Sequence, residues 1–313
     1  MYKRIAVVTG CAGFIGTTFT RLLLEKGWLV YGIDKFTYVA NFEEVQWLAD
    51  TYPDTFTYTV EDIKDIDRLP ECDVVFNLAA ESDVDNSILN MNNFIDSNIS
   101  GVKNLLEIIT HRSVQIKNNK PLFFQISTDE VYGTLTEDDL AFTENSPLKP
   151  NSPYAASKTA ADLLCRSFYE TYQYPISITR CSNNYGPNQH NEKLIPKLIE
   201  NIREGNKVPI YGDGKNIRDW VHVQDHCEAI DVVLHKGKDG EVYNIGGECE
   251  KRNIEIVDDL LLSFEQGYDL VEYVEDRKGH DWRYAMNISK IKQKLDWSPR
   301  ITFREGMKEL INK

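Results

Sequence analysis

The chain has 313 residues, 42% of them apolar and 27% charged, and a formal net charge of −14. Those proportions suit a folded globular protein with one large α/β domain, alone or with a smaller partner, and exclude a disordered or fibrous chain. The acidic balance argues against broad contact with nucleic acid or anionic lipid, although a local pocket on an acidic protein can still be basic.

The six cysteines (Cys11, Cys72, Cys165, Cys181, Cys227 and Cys249) are scattered, with no C-x-x-C pair. They read as reduced thiols rather than a disulfide framework. The first four residues pass straight into Ile5-Ala6-Val7-Val8, which is too short for a signal segment. No apolar stretch is long enough to span a membrane, so the expected setting is the cytoplasm.

Ile5 to Val8 is predicted as a buried parallel strand. Thr9-Gly10-Cys11-Ala12-Gly13-Phe14-Ile15-Gly16 follows and opens a helix. Strand, glycine loop and helix start together make an anion site, because free N–H groups point outward at the positive end of the helix dipole. The spacing is G-x-x-G-x-x-G, and alone it is weak, since glycines also mark ordinary turns. A second strand, Leu29 to Ile33, ends at Asp34, eighteen residues beyond Gly16. An acid there accepts the ribose hydroxyls of a dinucleotide and repels a 2′-phosphate, which favours NAD over NADP. Otherwise Asp34 caps a strand end.

The alternation continues with strands at Phe56 to Val60, Asp73 to Leu78 and Leu122 to Ile126, and a helix over Asn98 to Thr110. Asp62 lies where it would meet the adenine, and the small residues Ala79 and Ala80 would let backbone approach the cofactor. Repeated β-α units imply a Rossmann-type doubly wound parallel sheet with ligands at the carboxyl ends of its strands. Ser127-Thr128-Asp129-Glu130 lies at such an end.

Ser152 and Pro153 read as the N-cap and first residue of a helix that carries Tyr154 and Lys158 on one face. Tyr-x-x-x-Lys occurs three times, at Tyr31/Lys35, Tyr154/Lys158 and Tyr211/Lys215. The first begins in a strand and the third contains Gly212 and Gly214, so only the middle pair has a helix to stack it. A phenol of ordinary pKa about 10 is a poor base at neutrality. Lys158 beside it, with a positive nicotinamide ring, is expected to lower that value, while Thr128 holds the same substrate oxygen. Asp129 and Glu130 would divide acid and base work if their environments separate their pKa values. They read otherwise as a solvated acidic pair.

After another strand at Ile176 to Arg180, Pro, Gly and Asn become frequent. The expected division is a dinucleotide-binding domain of residues 1–182 with 217–243, and a smaller mixed α/β lobe of residues 183–216 with 244–313. Strand-like Trp220 to Val223 and helical His226 to Leu234 are assigned to the large domain. His222-x-x-x-His226 lacks a third ligand at a usual spacing, and no metal is expected.

Across nearly its whole length the chain resembles the extended short-chain dehydrogenases/reductases, and within them the nucleoside-diphosphate-glucose 4,6-dehydratases. Thr9-Gly10-x-x-Gly13-Phe14-Ile15-Gly16, Leu78-Ala79-Ala80-Glu81-Ser82, Ser127 to Gly133 and Tyr154-x-x-x-Lys158 carry the resemblance. So do Asn183-Asn184-Tyr185-Gly186-Pro187, Glu192-Lys193-Leu194-Ile195-Pro196, Ile217-Arg218-Asp219-Trp220 and Asp276-Arg277-x-Gly279-His280-Asp281. The Thr128-Asp129-Glu130 triplet is its specific part, because related epimerases lack it.

The resemblance implies catalysis by Thr128, Asp129, Glu130, Tyr154 and Lys158. Tyr154 would deprotonate the sugar C4 hydroxyl, Glu130 remove the C5 proton and Asp129 protonate the departing C6 hydroxyl, with NAD staying bound through a redox-neutral cycle. It places the cofactor on Gly10, Gly13, Phe14, Ile15, Gly16, Asp34, Lys35, Asp62, Ile63, Leu78, Ala79, Ala80, Asn98, Tyr154, Lys158 and Asn184. The nucleotide-sugar falls to Ser82, Thr128, Asn183, Lys193, Leu194, Pro209, Tyr211, Arg218, Asn253, Asp276, Arg277 and His280. A homodimer is a further expectation. Asp83, where relatives often carry His, and a short segment between Tyr132 and Asn151 are departures. Asn86-Ser87 and Pro187-Asn188-Gln189 lean towards the plant UDP-glucose enzymes, which leaves dTDP-glucose and UDP-glucose both open. A 4-epimerase and a non-catalytic NAD sensor are the competing readings.

Overall fold

The computed structural model describes residues 4–112 and 120–312, so residues 1–3, part of the N-terminal segment read above, lie outside it. Seven strands form one sheet: β1 (Ile5–Thr9), β2 (Leu29–Asp34), β3 (Phe56–Val60), β4 (Val74–Asn77), β5 (Leu122–Thr128), β6 (Ile176–Cys181) and β10 (Val242–Ile245). Their order is β10-β6-β5-β4-β1-β2-β3, and every pairing is parallel. The chain leaves β1 in one direction for β2 and β3 and returns on its other side for β4. The crevice beside β1 is therefore the switch point where ligands bind in doubly wound sheets.

Both faces of this sheet are covered, which explains the unbroken apolar runs. Side chains alternate between faces. Ala6, Val8, Phe76 and Phe124 enter one core, while Val7, Val75 and Phe123 enter the other. At the carboxyl ends the row turns polar. Thr9 donates to Asn77 Oδ1 (2.7 Å) and Asn77 Nδ2 to Gln125 Oε1 (2.8 Å), a buried ladder across three strands directly beneath the crevice.

Two smaller sheets lie beyond. One joins β7 (Asn183–Tyr185), β9 (Ile217–His222) and β11 (Glu250–Arg252); the other joins β8 (Val208–Tyr211) and β12 (Val271–Val274). They share a third core with the helices Leu194–Glu204 and Asn253–Ser263. The expected boundaries change in two places. The strand around Trp220, assigned to the large domain, pairs with β7 and β11, because its register is set by backbone bonds to those strands. The segment carrying Ala285, Met286, Ile288, Ile291 and Trp297, assigned to the lobe, buries its apolar side chains in the large-sheet core.

The helix expected over Asn98 to Thr110 begins earlier, at Asn92–Phe94, and contains π turns at Ile95–Gly101 and Ile108–Arg112. One extra residue per turn re-aims side chains, and such turns concentrate at functional sites. No helix among the described residues is long and apolar enough to cross a membrane.

Candidate active site

A cleft follows the crevice in two connected parts. The first is lined by Gly10, Gly13, Asp34, Lys35, Asp62, Ile63, Leu78, Ala79 and Ala80. The second is lined by Gly10, Gly13, Phe14, Ile15, Gly16 and Ser82, by Thr128, Asp129, Glu130, Tyr154 and Lys158, and by Asn183, Asn184 and Lys193. The sheet thus brings the predicted catalytic side chains, and every predicted cofactor residue but Asn98, to the two parts of one cleft.

The glycine loop is tight because it has no room for a side chain. Gly10 has φ +71°, and a Cβ there would lie 2.6 Å from Ala79 N. At Gly16 a Cβ would fall 1.9 Å from the Gly10 carbonyl oxygen. The Phe14–Glu25 helix begins without a side-chain cap, so its first N–H groups remain free towards the cleft. At the end of β2, Asp34 is fixed by the N–H groups of Ala12 (2.9 Å) and Phe36 (2.8 Å). Lys35 reaches Ser97 Oγ (2.8 Å) and Glu81 (2.7 Å). A bare helix start, a glycine cradle and an acid at the second strand end fit a dinucleotide.

Asn98 is placed differently from the other expected cofactor residues. It is buried and lines neither part of the cleft; its amide accepts from Glu81 N (2.9 Å) and donates to Glu81 O (3.0 Å) and Ser157 Oγ (2.8 Å). It holds the Ala79–Ser82 stretch by its backbone. Asn184 bonds the Ser182 carbonyl (3.0 Å), and its Oδ1 lies 2.9 Å from His226 Nδ1. His226 is fully buried, and His222 caps its own helix by accepting from Gln224 N (3.3 Å).

Ser152 caps the Pro153–Tyr172 helix through Ala155 N (3.0 Å), and that helix carries Tyr154 and Lys158, both buried, to the end of β5. Lys158 Nζ donates to the Ile126 carbonyl (2.7 Å). The expected lowering of the tyrosine pKa is not found in the protein alone. Burial pushes the Tyr154 phenol well up, the charge of Glu130 adds to the rise, and a hydrogen bond from Thr128 opposes it. The physical reason is the loss of water around the phenol, while the Lys158 ammonium is turned to the Ile126 carbonyl. Both side chains stand on the one helix.

Asp129 and Glu130 begin a short 3₁₀ turn after β5, where Thr128 Oγ1 accepts from Glu130 N (3.3 Å). Asp129 is 2% exposed, and its Oδ2 has no protein partner. Burial, then the charge of Glu130, holds its carboxyl well above the usual range. Glu130 is half-buried, and its pKa is also raised by burial, but Arg218, Lys193 and Arg277 draw it back down. Two adjacent carboxyls are thus separated by environment, one favouring the protonated form and one kept nearer ionisation.

The expected substrate residues approach from the smaller sheets. Lys193 bonds the Ser82 carbonyl (2.9 Å) and precedes Leu194 at a helix start. Arg218 lies 4.3 Å above the ring of Tyr284 and donates to the Asp281 carbonyl (2.9 Å). Arg277 is ion-paired with Asp85 and donates to it through Nη2 (2.9 Å), while its Nε makes no hydrogen bond, and Tyr211 lies 3.5 Å from the same carboxylate. His280 is held by Asp276 (2.7 Å). Pro209 lies in the same strand as Tyr211, and Asn253 starts a helix with its Oδ1 buried and unpartnered.

Sequence reasoning passed over Tyr284 and Asp85, and named Asp219 and Asp281 only within motifs, without a role. Asp219 is buried and holds Gly247 N (3.0 Å) and Cys249 N (2.7 Å). The Arg277-to-Asp85 pairing spans 192 residues, beyond any local pattern. Among the described residues there is no cluster of three or more groups able to hold a metal.

A parallel sheet with this strand order and a Thr-Tyr-Lys cluster over a dinucleotide crevice is the build of an extended short-chain dehydrogenase/reductase. The comparisons narrow it. The model of the GDP-mannose 4,6 dehydratase family matches residues 7–310. The chain is 42% identical to the low-salt glycan biosynthesis protein of Haloferax volcanii, over 98% of this chain and 97% of that one. It is also 42% identical to the dTDP-glucose 4,6-dehydratase of Haemophilus influenzae, over 97% and 96%. A double mutant of the dTDP-glucose 4,6-dehydratase of Streptomyces venezuelae, crystallised with NAD, superposes with a TM-score of 0.91 at 39% identity, over 98% and 95%. A UDP-glucuronic acid 4-epimerase from Bacillus cereus, also with NAD, superposes at 0.90 but is only 28% identical, over 98% of each chain. The chain belongs to the GDP-mannose 4,6 dehydratase family.

Proposed function

We propose that this protein is an NAD-dependent sugar-nucleotide 4,6-dehydratase that takes dTDP-glucose or UDP-glucose to the 4-keto-6-deoxy sugar nucleotide. The observation that carries the reading is the Asp129-Glu130 pair, set at the end of β5 in the same cleft as Thr128, Tyr154 and Lys158. An epimerase has no need of two carboxyls with separated environments.

The glycine loop, Asp34 and the Leu78-to-Ala80 stretch would hold NAD, which would supply the hydride acceptor for C4 and return the hydride to C6. Tyr154 receives the C4 hydroxyl proton, while Thr128 bonds the same oxygen. Once C4 is a ketone the C5 proton is acidic, and Glu130, whose burial-driven rise Arg218 and Lys193 partly offset, removes it. Asp129, kept protonated by burial and by its neighbour's charge, donates to the departing C6 oxygen, which leaves as water. Burial keeps bulk water away from these proton transfers.

Lys193, Arg218 and Arg277 supply the local positive charge for the diphosphate within a chain of net charge −14. In this division of labour the large sheet serves the cofactor and the smaller sheets serve the nucleotide-sugar. The reading also includes a homodimer. The Pro153–Tyr172 helix leaves Leu163 52% exposed, an apolar position open to a second copy. Light scattering in solution tests that part.

The deciding experiment incubates purified protein with dTDP-glucose and UDP-glucose separately. Loss of one water, read by mass, supports the reading, and relative kcat/KM assigns the base. An isomer of unchanged mass makes the protein an epimerase, and no turnover of any hexose nucleotide overturns the assignment.

A further inference from the structure

The loop after β2 lines the cofactor part of the cleft through Thr37, Val39 and Ala40, and Val39 lines the catalytic part as well. Between them Tyr38 turns outward and is 62% exposed, so packing does not explain its presence. Its hydroxyl donates to Glu192 Oε2 (2.8 Å) and accepts from Asn86 Nδ2 (3.2 Å). Its ring meets His190 edge-on, centroids 5.7 Å apart. Glu192 and His190 themselves line the catalytic cleft. The Glu192 side chain is only 15% exposed and sits 3.4 Å from Lys193 Nζ, so its carboxylate is a fixed acceptor rather than a swinging surface acid. A second link between the same regions joins Asn188 Nδ2 to Glu44 Oε2 (3.4 Å). Segments far apart in the chain are therefore tied at one place across the mouth of the cleft.

A dinucleotide lying from Asp34 to Tyr154 would pass beneath that tie. For it to leave sideways, the loop after β2 and the segment of residues 188–193 must separate, which breaks a hydrogen bond to a charged acceptor and an aromatic contact. We propose that Tyr38, with Glu192 as its acceptor, is a positioning residue that straps the two segments over the cofactor and sets how slowly bound NAD departs. The inference rests on the reading that this cleft holds NAD. It adds that retention depends on protein–protein bonds that touch neither cofactor nor sugar.

The test measures release without any sugar nucleotide present. Protein loaded with radiolabelled NAD is chased with excess unlabelled NAD, and retained label is followed by rapid filtration. Tyr38→Phe and Glu192→Met, which removes the acceptor, are each expected to speed release roughly fivefold or more, the scale of one partly exposed charge-assisted hydrogen bond. The double variant should be no faster than the faster single one, because both changes remove the same bond. Tyr38→Ala, which also removes the ring from His190, should be faster still, with the melting temperature of every variant unchanged. Release within twofold of wild type in Tyr38→Ala and Glu192→Met, or additive effects in the double variant, would overturn the strap. Unchanged release with intact dehydration sinks the strap alone; faster release in a protein that dehydrates no hexose nucleotide sinks the substrate assignment alone.

Discussion

Asp129 and Glu130 are neighbours in sequence, yet the fold gives them different surroundings, and two predictions follow at this scale. Glu130→Gln should still oxidise C4, so reduced nicotinamide accumulates in absorbance, while water loss falls by at least about 100-fold, within the usual range for losing a general base. Unchanged dehydration would remove Glu130 from that role. For wild type, activity needs Glu130 ionised and Asp129 protonated. Both carboxyls are raised, so the acid limb of the pH–rate profile should lie above the ordinary glutamate range and the alkaline limb should report Asp129. Asp129→Asn should abolish that alkaline limb along with most of the activity.

The same residue carries a stability cost with a definite sign. A carboxyl whose folded pKa lies above its unfolded value binds more protons when folded, so stability falls as pH rises from the unfolded value through the folded one. Asp129→Asn removes that loss. The variant should melt at least about 2 °C higher than wild type at pH near 7, with the gain shrinking towards pH 4. An equal shift at both pH values would show that burial of the ionised form is not the cause.

At the scale of elements, the glycine loop and the tyrosine helix are held by different physics. Gly16 is required because a Cβ would occupy the Gly10 carbonyl. In Gly16→Ala the turn must move, and bound dinucleotide in purified protein should drop below about one-tenth of the wild-type content. The Pro153–Tyr172 helix is anchored to β6 by the buried Arg180–Asp162 pair at 2.9 Å, and Arg180 also donates to Tyr132 at 2.9 Å. Removing one partner leaves an uncompensated buried charge. Asp162→Ala should therefore cost about 3–5 kcal/mol in denaturant unfolding. A loss under about 1 kcal/mol would mean that water reaches Arg180.

The whole molecule brings the large sheet and the smaller sheets together over the cleft, and Arg277 is where charge crosses between them. Its guanidinium is paired with Asp85 from the helix Val84–Leu89, which keeps it beside the site proposed for the diphosphate. Arg277→Lys keeps the charge but loses the planar fork and its Nη2 bond to Asp85, so KM for the sugar nucleotide should rise about tenfold with kcat changed much less. A pure kcat effect would place Arg277 in the chemistry instead.

Much of this molecule is determined by the sequence itself. Local chemistry dictates the parallel sheet, the glycine loop, the acid at the end of β2, the capped helix under Tyr154 and the Asp129-Glu130 pair, because each depends on apolar period, turn residues or immediate neighbours. Tertiary structure alone decided the rest. It moved the strand at Ile217–His222 into the small sheet, returned the segment around Ile288 to the large core, and inserted π turns into the helix around Asn98. It also turned Lys158 towards a carbonyl, raised the phenol it was expected to lower, and joined Tyr38 to Glu192 and Arg277 to Asp85. Pairing partners and electrostatic surroundings are properties of residues far apart along the chain, and no local pattern encodes which distant charge a buried group will meet.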